Sequence, residues 1–191
     1  MKSLVIDANV FCAFALEHIT GIPTSDRTAS PITLFGLLGD KAVAFLDDGG
    51  QIEREWGNLV TFAPEWFSEW LADSLADGRI YEITPSSDRQ LVKRYRALGF
   101  PNTTDIWYIK TAHGLSTLCK RNRPFLVAED IDFYDPKLKH MKNKNDIFRK
   151  GSGKVCNLLR DDGIELRCIE NATNELSADA ACPVGISYGE G

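Results

Sequence analysis

The stretch Ser3-Leu4-Val5-Ile6-Asp7-Ala8-Asn9-Val10-Phe11 decides how the rest of the chain is read. Leu4, Val5 and Ile6 make a continuous apolar run, too short for a helix, which predicts a strand over 3–6 buried on both faces, as in a parallel sheet. The run stops at the polar Asp7-Ala8-Asn9, and Val10, Phe11, Phe14 and Ala15 then recur as the inner side of a helix. Asp7 therefore stands where a buried strand hands over to a helix. In open parallel sheets that carboxyl edge lines the functional crevice.

The same alternation continues outward from this start. Strands are predicted over 42–46, 79–84, 124–128 and 164–169, with helices between them. Gly21-Ile22-Pro23 and the polar stretch to Ser30 form a loop, and Pro31 opens a helix through Leu38. Asp47-Asp48-Gly49-Gly50 is a turn ahead of a helix carrying Ile52, Glu55, Trp56 and Leu59. Pro64 opens the next helix, whose Trp66, Phe67, Trp70, Leu71 and Leu75 fall at helical spacing and read as core packing. A helix over 87–98 ends at Gly99, and Pro101-Asn102-Thr103-Thr104 supplies capping chemistry for one carrying Ile106, Ile109, Ala112 and Leu115. A last helix carries Val155, Leu158 and Leu159. Strands alternating with helices predict a three-layer α/β/α sandwich around a five-stranded parallel sheet. The predicted domain spans 1–170, with 171–191 as a small, polar, mobile tail.

At 191 residues, 43% hydrophobic and 26% charged, the composition is that of one globular domain. The apolar stretch Val10 to Leu16 falls far short of the roughly 18–20 residues that span a membrane, so no membrane partner is expected. Lys2 before an apolar start imitates a secretory signal, but Asp7 and Asn9 interrupt it. Five cysteines with no Cys-x-x-Cys pair argue against a zinc knuckle or a disulfide scaffold and point to a reducing, cytoplasmic setting. The net charge is −5, unevenly spread: from Lys137 to Lys154 seven basic residues face one acidic residue, Asp146, giving +6 and leaving −11 elsewhere. That segment reads as a phosphate-contacting arm or as a solvated surface loop.

Four carboxylates fall where this architecture gathers side chains. Asp7 and Asp130 lie just beyond strands, Asp105 in the first turn of a helix, and Glu55 on the helix after the second strand. Brought together they repel unless a cation neutralises them, and an all-oxygen set favours Mg²⁺ or Mn²⁺ over zinc. Such ions clamp a phosphodiester and acidify a bound water, so no side-chain nucleophile is needed. Taken singly, each acid also reads as a surface charge or a helix cap.

These segments resemble those of PIN-domain nucleases. The opening strand with Asp7 followed two positions later by Asn9 is similar to the first motif of that family. The segment Phe45-Leu46-Asp47-Asp48-Gly49-Gly50-Gln51-Ile52-Glu53-Arg54-Glu55-Trp56 resembles the second, with Trp56 in the usual tyrosine position, and selects Glu55 over Glu53. Gly99 to Asp105 resembles the third-acid region. Leu126-Val127-Ala128-Glu129-Asp130-Ile131-Asp132-Phe133 resembles the fourth, with Ala128 in place of a frequent threonine. The resemblance implies a metal-dependent endonuclease cutting single-stranded RNA. Asp7, Asn9, Glu55, Asp105 and Asp130 would be catalytic, with Asp7, Glu55, Asp105, Asp130 and the neighbouring Asp132 around the metal. It also implies a toxin or defence effector held by a regulatory protein partner, although this chain is longer than the compact toxins. A DNA-directed nuclease of the same architecture, an inert module binding RNA or protein, and homo-oligomerisation stay open.

In the basic segment Lys139, Lys142, Lys144 and Lys150 are the candidate nucleic-acid contacts. Gly151-Ser152-Gly153-Lys154 is not a phosphate loop, because Val155 and Phe148 stand where a hydroxyl residue and the first glycine belong. His113, about 12 Å along the helix from Asp105, reads as a rim or packing residue. Lys110, Arg54 and Lys120-Arg121-Asn122-Arg123 read as solvated surface before they read as phosphate contacts.

Overall fold

In the computed structural model, which describes residues 1–24, 26–101, 104–118 and 122–178, Leu4, Val5 and Ile6 have no exposed surface. They lie in the strand β1 (Lys2–Ile6) at the centre of the sheet. Burying each such side chain contributes about 1.5–3 kcal/mol, which is why this run seeks the middle position. The other strands are β2 (Ala42–Asp47), β3 (Ile80–Ile83), β4 (Phe125–Val127) and β5 (Glu165–Arg167). Their order is β3-β2-β1-β4-β5, parallel throughout. The predicted five-stranded parallel sheet is therefore present.

The helices between the strands are α1 (Ala8–Thr20), α2 (Pro31–Phe35), α3 (Gln51–Leu59), α4 (Pro64–Ala76), α5 (Arg89–Ala97), α6 (Ile106–Leu118), α7 (Lys144–Lys150) and α8 (Lys154–Asp161). Right-handed crossovers put α1 to α4 on one face of the sheet and α5, α6 and α8 on the other, giving the three layers. The chain leaves β1 toward β2 on one side and returns through β4 on the other, so the strand order reverses between β1 and β4. Ligands of open α/β sheets sit outside that reversal. The stripe on α4 packs as expected. Phe67 and Trp70 lie 5.6 and 5.1 Å from Phe11, and Trp66 lies 6.1 Å from Phe14. Leu75, however, is turned outward.

Two expectations are corrected. The tail does not begin at Asn171, because α9 (Ile169–Ala178) runs through it and buries Ala172, Thr173 and Leu176. Residues 179–191 lie outside the described residues. The basic segment is neither an extended arm nor a loop, since it folds into a 3-10 turn (Pro136–Leu138) followed by α7 and the start of α8. Phe148 of α7 is buried against the Tyr134 ring at 4.8 Å. The N–H groups of Val155 and Cys156 both donate to the Tyr134 carbonyl, at 3.0 and 3.3 Å. Gly153 serves this contact, because a Cβ there would stand 2.2 Å from the same carbonyl oxygen. Backbone approach, not phosphate binding, accounts for that glycine.

Candidate active site at the carboxyl edge of the sheet

Asp7 is fixed from three sides. Its N–H donates to the Val127 carbonyl of β4 at 2.9 Å, holding the end of β1 against its neighbour. Its carbonyl accepts from the N–H groups of Val10 and Phe11, at 3.0 and 3.1 Å, and its carboxylate accepts from that of Asn9 at 3.3 Å. It thus caps α1, and only 1% of it is exposed. Burial pushes the Asp7 carboxyl up to about 8, and Asp130, Asp105 and Glu55 add to the rise in that order. The Asn9 N–H opposes it weakly. Desolvation and like charge both disfavour the ionised form, so the two causes act together.

Glu55 is brought in by α3. The buried Asp47 carboxylate accepts from the N–H groups of Gln51 and Ile52, at 3.0 and 2.7 Å, and caps the helix. Ile52 and Trp56 then face the core. The Trp56 indole stacks on Phe11 at 4.1 Å, and its N–H donates to the Ile6 carbonyl at 3.2 Å, one residue before Asp7. Glu55 precedes that anchor. Its Oε1 accepts from the Thr104 hydroxyl at 2.8 Å, while its Oε2 is buried without a hydrogen-bond partner. Burial raises the Glu55 carboxyl, the Thr104 and Tyr108 hydroxyls oppose the rise, and Asp105 adds to it. Glu53 lies over Gly50 at the helix start, and Glu55 is the acid that acts on Asp7.

The wholly buried Tyr108 on α6 closes this side of the cluster. Its hydroxyl is held well above the ordinary phenol range by burial and by Asp7 and Glu55, and it lies against the Glu55 carboxylate. Sequence reading missed Tyr108 and Thr104. Asp105, half-buried, precedes α6, and its carbonyl accepts from the Tyr108 N–H at 3.2 Å. Asn102 and Thr103, where capping was expected, lie outside the described residues.

On the other side, Asp130 follows β4 and caps a 3-10 turn (Ile131–Phe133) by accepting from the Asp132 N–H at 2.9 Å. The strand end above it is tied down by the Tyr134 hydroxyl, which donates to the Ala128 carbonyl at 3.0 Å. Asp132 is 7% exposed. Its Oδ2 meets the Lys139 ammonium at 2.8 Å, and its Oδ1 is buried without a partner. Lys139 is thus placed on the acidic cluster. Lys142 and Lys150 are exposed and Lys144 half-buried, while Lys120 and Arg121 lie outside the described residues.

Nearby charges have other work. Glu129 turns inward, accepting from the N–H and hydroxyl of Thr28 and from the Ile169 N–H at 3.1 Å, at the start of α9. The Arg27 guanidinium donates to the Asn9 carbonyl at 3.4 Å. His113 has a buried Nδ1 without a partner. A hollow of about 290 Å³ lined by Met1, Lys2, Asp40, Lys41, Asn122 and Leu176 lies at the opposite, amino edge of the sheet.

Asp7, Glu55, Asp105 and Asp130 share one field, as their mutual effects on Asp7 require. Among the described residues no three His, Cys, Asp or Glu side chains form a ready metal cage. The donor set is nonetheless suited to a hard divalent cation: carboxylate oxygens only, two of them, Glu55 Oε2 and Asp132 Oδ1, buried and unsatisfied. No protein-family model, curated protein or solved structure matches the chain.

Proposed function

We propose that this protein is a divalent-metal-dependent endonuclease hydrolysing phosphodiester bonds in single-stranded RNA. One observation carries the proposal: at the strand-order reversal a buried Asp7 shares its surroundings with three further carboxylates from separate segments, and Glu55 Oε2 and Asp132 Oδ1 lie buried and unsatisfied. A scaffold gains nothing from that repulsion, whereas a cation site depends on it. The resemblance of four segments to PIN-domain motifs supports the same reaction.

Asp7, Glu55, Asp105 and Asp130 would hold Mg²⁺ or Mn²⁺, with Asp132 beside them. When bound, such an ion polarises the phosphodiester and lowers the pKa of water. The chain's own part is placement. Asp7 would give up its proton to a bound ion, Thr104 fixes one Glu55 oxygen and leaves Oε2 buried and unsatisfied, and Asn9 steadies Asp7 through its N–H.

The test is incubation of labelled single-stranded RNA and DNA with Mg²⁺, Mn²⁺ or chelator. Cleavage of RNA that chelation abolishes is expected. Asp7→Asn and Asp130→Asn should each lose more than the roughly 100-fold that even outer-shell partners cost, and Glu55→Gln should lose far more than Glu53→Gln. Undiminished cutting after chelation would overturn the metal chemistry. Cutting of DNA alone would reassign the substrate.

A further inference from the structure

The cluster has two ends joined by shared acids. Asp7 feels Asp130, Asp105 and Glu55, whereas Lys139 feels Asp132, Asp130 and Asp105. Asp130 and Asp105 therefore lie between Asp7, with Glu55 and Tyr108, and the end where the Lys139 ammonium pairs with Asp132. Lys139 is delivered to that second end by backbone geometry. Asp130 caps the turn Ile131–Phe133, and Asp135, itself buried, accepts from the Lys137 N–H at 3.1 Å and caps the turn Pro136–Leu138. Lys139 follows directly, and its ammonium lands 2.8 Å from Asp132 Oδ2. The buried, unsatisfied Glu55 Oε2, with the wholly buried Tyr108 hydroxyl beside it, marks the other end as the seat for a free ion.

We infer that the Lys139 ammonium is a built-in cation occupying the second seat of the acidic cluster, so that the site takes a single divalent ion at the Asp7–Glu55 end. This rests on the metal-dependent reading proposed above and adds a count to it. Two-metal sites clamp both oxygens of an in-line displacement with ions about 3.5–4 Å apart. Here one positive charge is covalently tethered, and an ammonium is a compact point charge that neutralises a carboxylate as a second ion would. Removing it would leave Asp132 as an uncompensated buried carboxylate, which is costly unless another cation enters.

Calorimetric titration of the full 191-residue chain with Mn²⁺ counts the ions. One ion per chain is expected for the parent and for Lys139→Arg, and two for Lys139→Met. Electron paramagnetic resonance at saturating Mn²⁺ should show no coupling between ions in the parent and a dipolar-broadened pair in Lys139→Met. Two coupled ions in the parent would overturn the inference and leave the nuclease reading standing. One ion in folded Lys139→Met would also overturn it, and the parent spectrum decides the matter should that variant fail to fold. No ion in the parent at millimolar Mn²⁺ would sink the metal-dependent reading, and this count with it.

Discussion

With its carboxyl pushed up to about 8, Asp7 carries a proton at neutral pH in the metal-free protein. An acid raised on folding binds more protons folded than unfolded between its two pKa values. Its stabilising effect is therefore complete below the ordinary value, 3.8, and is lost as pH rises toward 8. The loss is on the order of 1.4 kcal/mol per unit across that window. Asp7→Asn removes this titration, so its melting temperature without metal should match the parent near pH 4 and exceed it increasingly up to pH 8. A constant gap would show that Asp7 is not protonated in the fold. Metal uptake runs the other way. A ligand carboxylate must be ionised, so Mn²⁺ binding should release a proton and tighten up to tenfold per pH unit below 8, then level off. Titration in two buffers of different ionisation enthalpy reads that proton directly. Asp7, Asp105 and Asp130 were legible in the sequence because each sits at the end of an element that punctuation marks. Thr104 and Tyr108 were not: Thr104 meets Glu55 across 49 positions, a pairing no local pattern encodes.

At the scale of elements, α3 is the part whose phase matters. A rotation by one residue would exchange Glu55 for a neighbour, and Trp56 prevents it by stacking on Phe11 and donating to the Ile6 carbonyl. Trp56→Phe keeps most of the stack and forfeits the hydrogen bond, leaving a buried carbonyl without that donor. It should cost about 1–3 kcal/mol in urea unfolding and weaken Mn²⁺ binding several-fold because Glu55 loses its setting. Lost stability with unchanged Mn²⁺ affinity would mean that Trp56 supports the core and not the site. The phase of α3 was readable because Ile52 and Trp56 are apolar at helical spacing. The last helix was not readable, since its segment is polar and owes its form to distant partners. Glu129 accepts from the Ile169 N–H, and Arg149 and Arg167 pair with Glu170 and Glu175, each at 2.6 Å. The basic segment was misjudged for a related reason. Its charge run hides Phe148 and Gly153, the residues that pin it to Tyr134.

Across the whole molecule the sheet concentrates negative charge at one edge while the net charge is −5, so any polyanion, the proposed RNA substrate included, is repelled from most approaches. Among the described residues of the basic segment, Lys139 is committed to Asp132 and Arg149 to Glu170 and Asp146, which withdraws two of the seven positive charges counted from sequence. Of the candidate phosphate contacts, Lys142, Lys144 and Lys150 are left; Lys144 and Lys150 lie on α7 and Lys142 just before it, so a folded element instead of a loose arm would present them. Each contact on a single strand releases about 0.7 counterion, so replacing these three by Gln should lower the salt slope of RNA binding by about 2. Mn²⁺ stoichiometry should not change, because exposed charges are screened beyond about 8 Å at physiological salt. Lys139→Met should do the reverse, altering the ion count with little effect on the slope. Binding measured from low to high salt, with Ca²⁺ in place of Mg²⁺ to suppress cutting, separates the two. If the triple variant kept the parent's slope while Lys139→Met flattened it, substrate would enter along the acidic cluster itself, with Lys139 as its first phosphate contact and α7 only as a packed support.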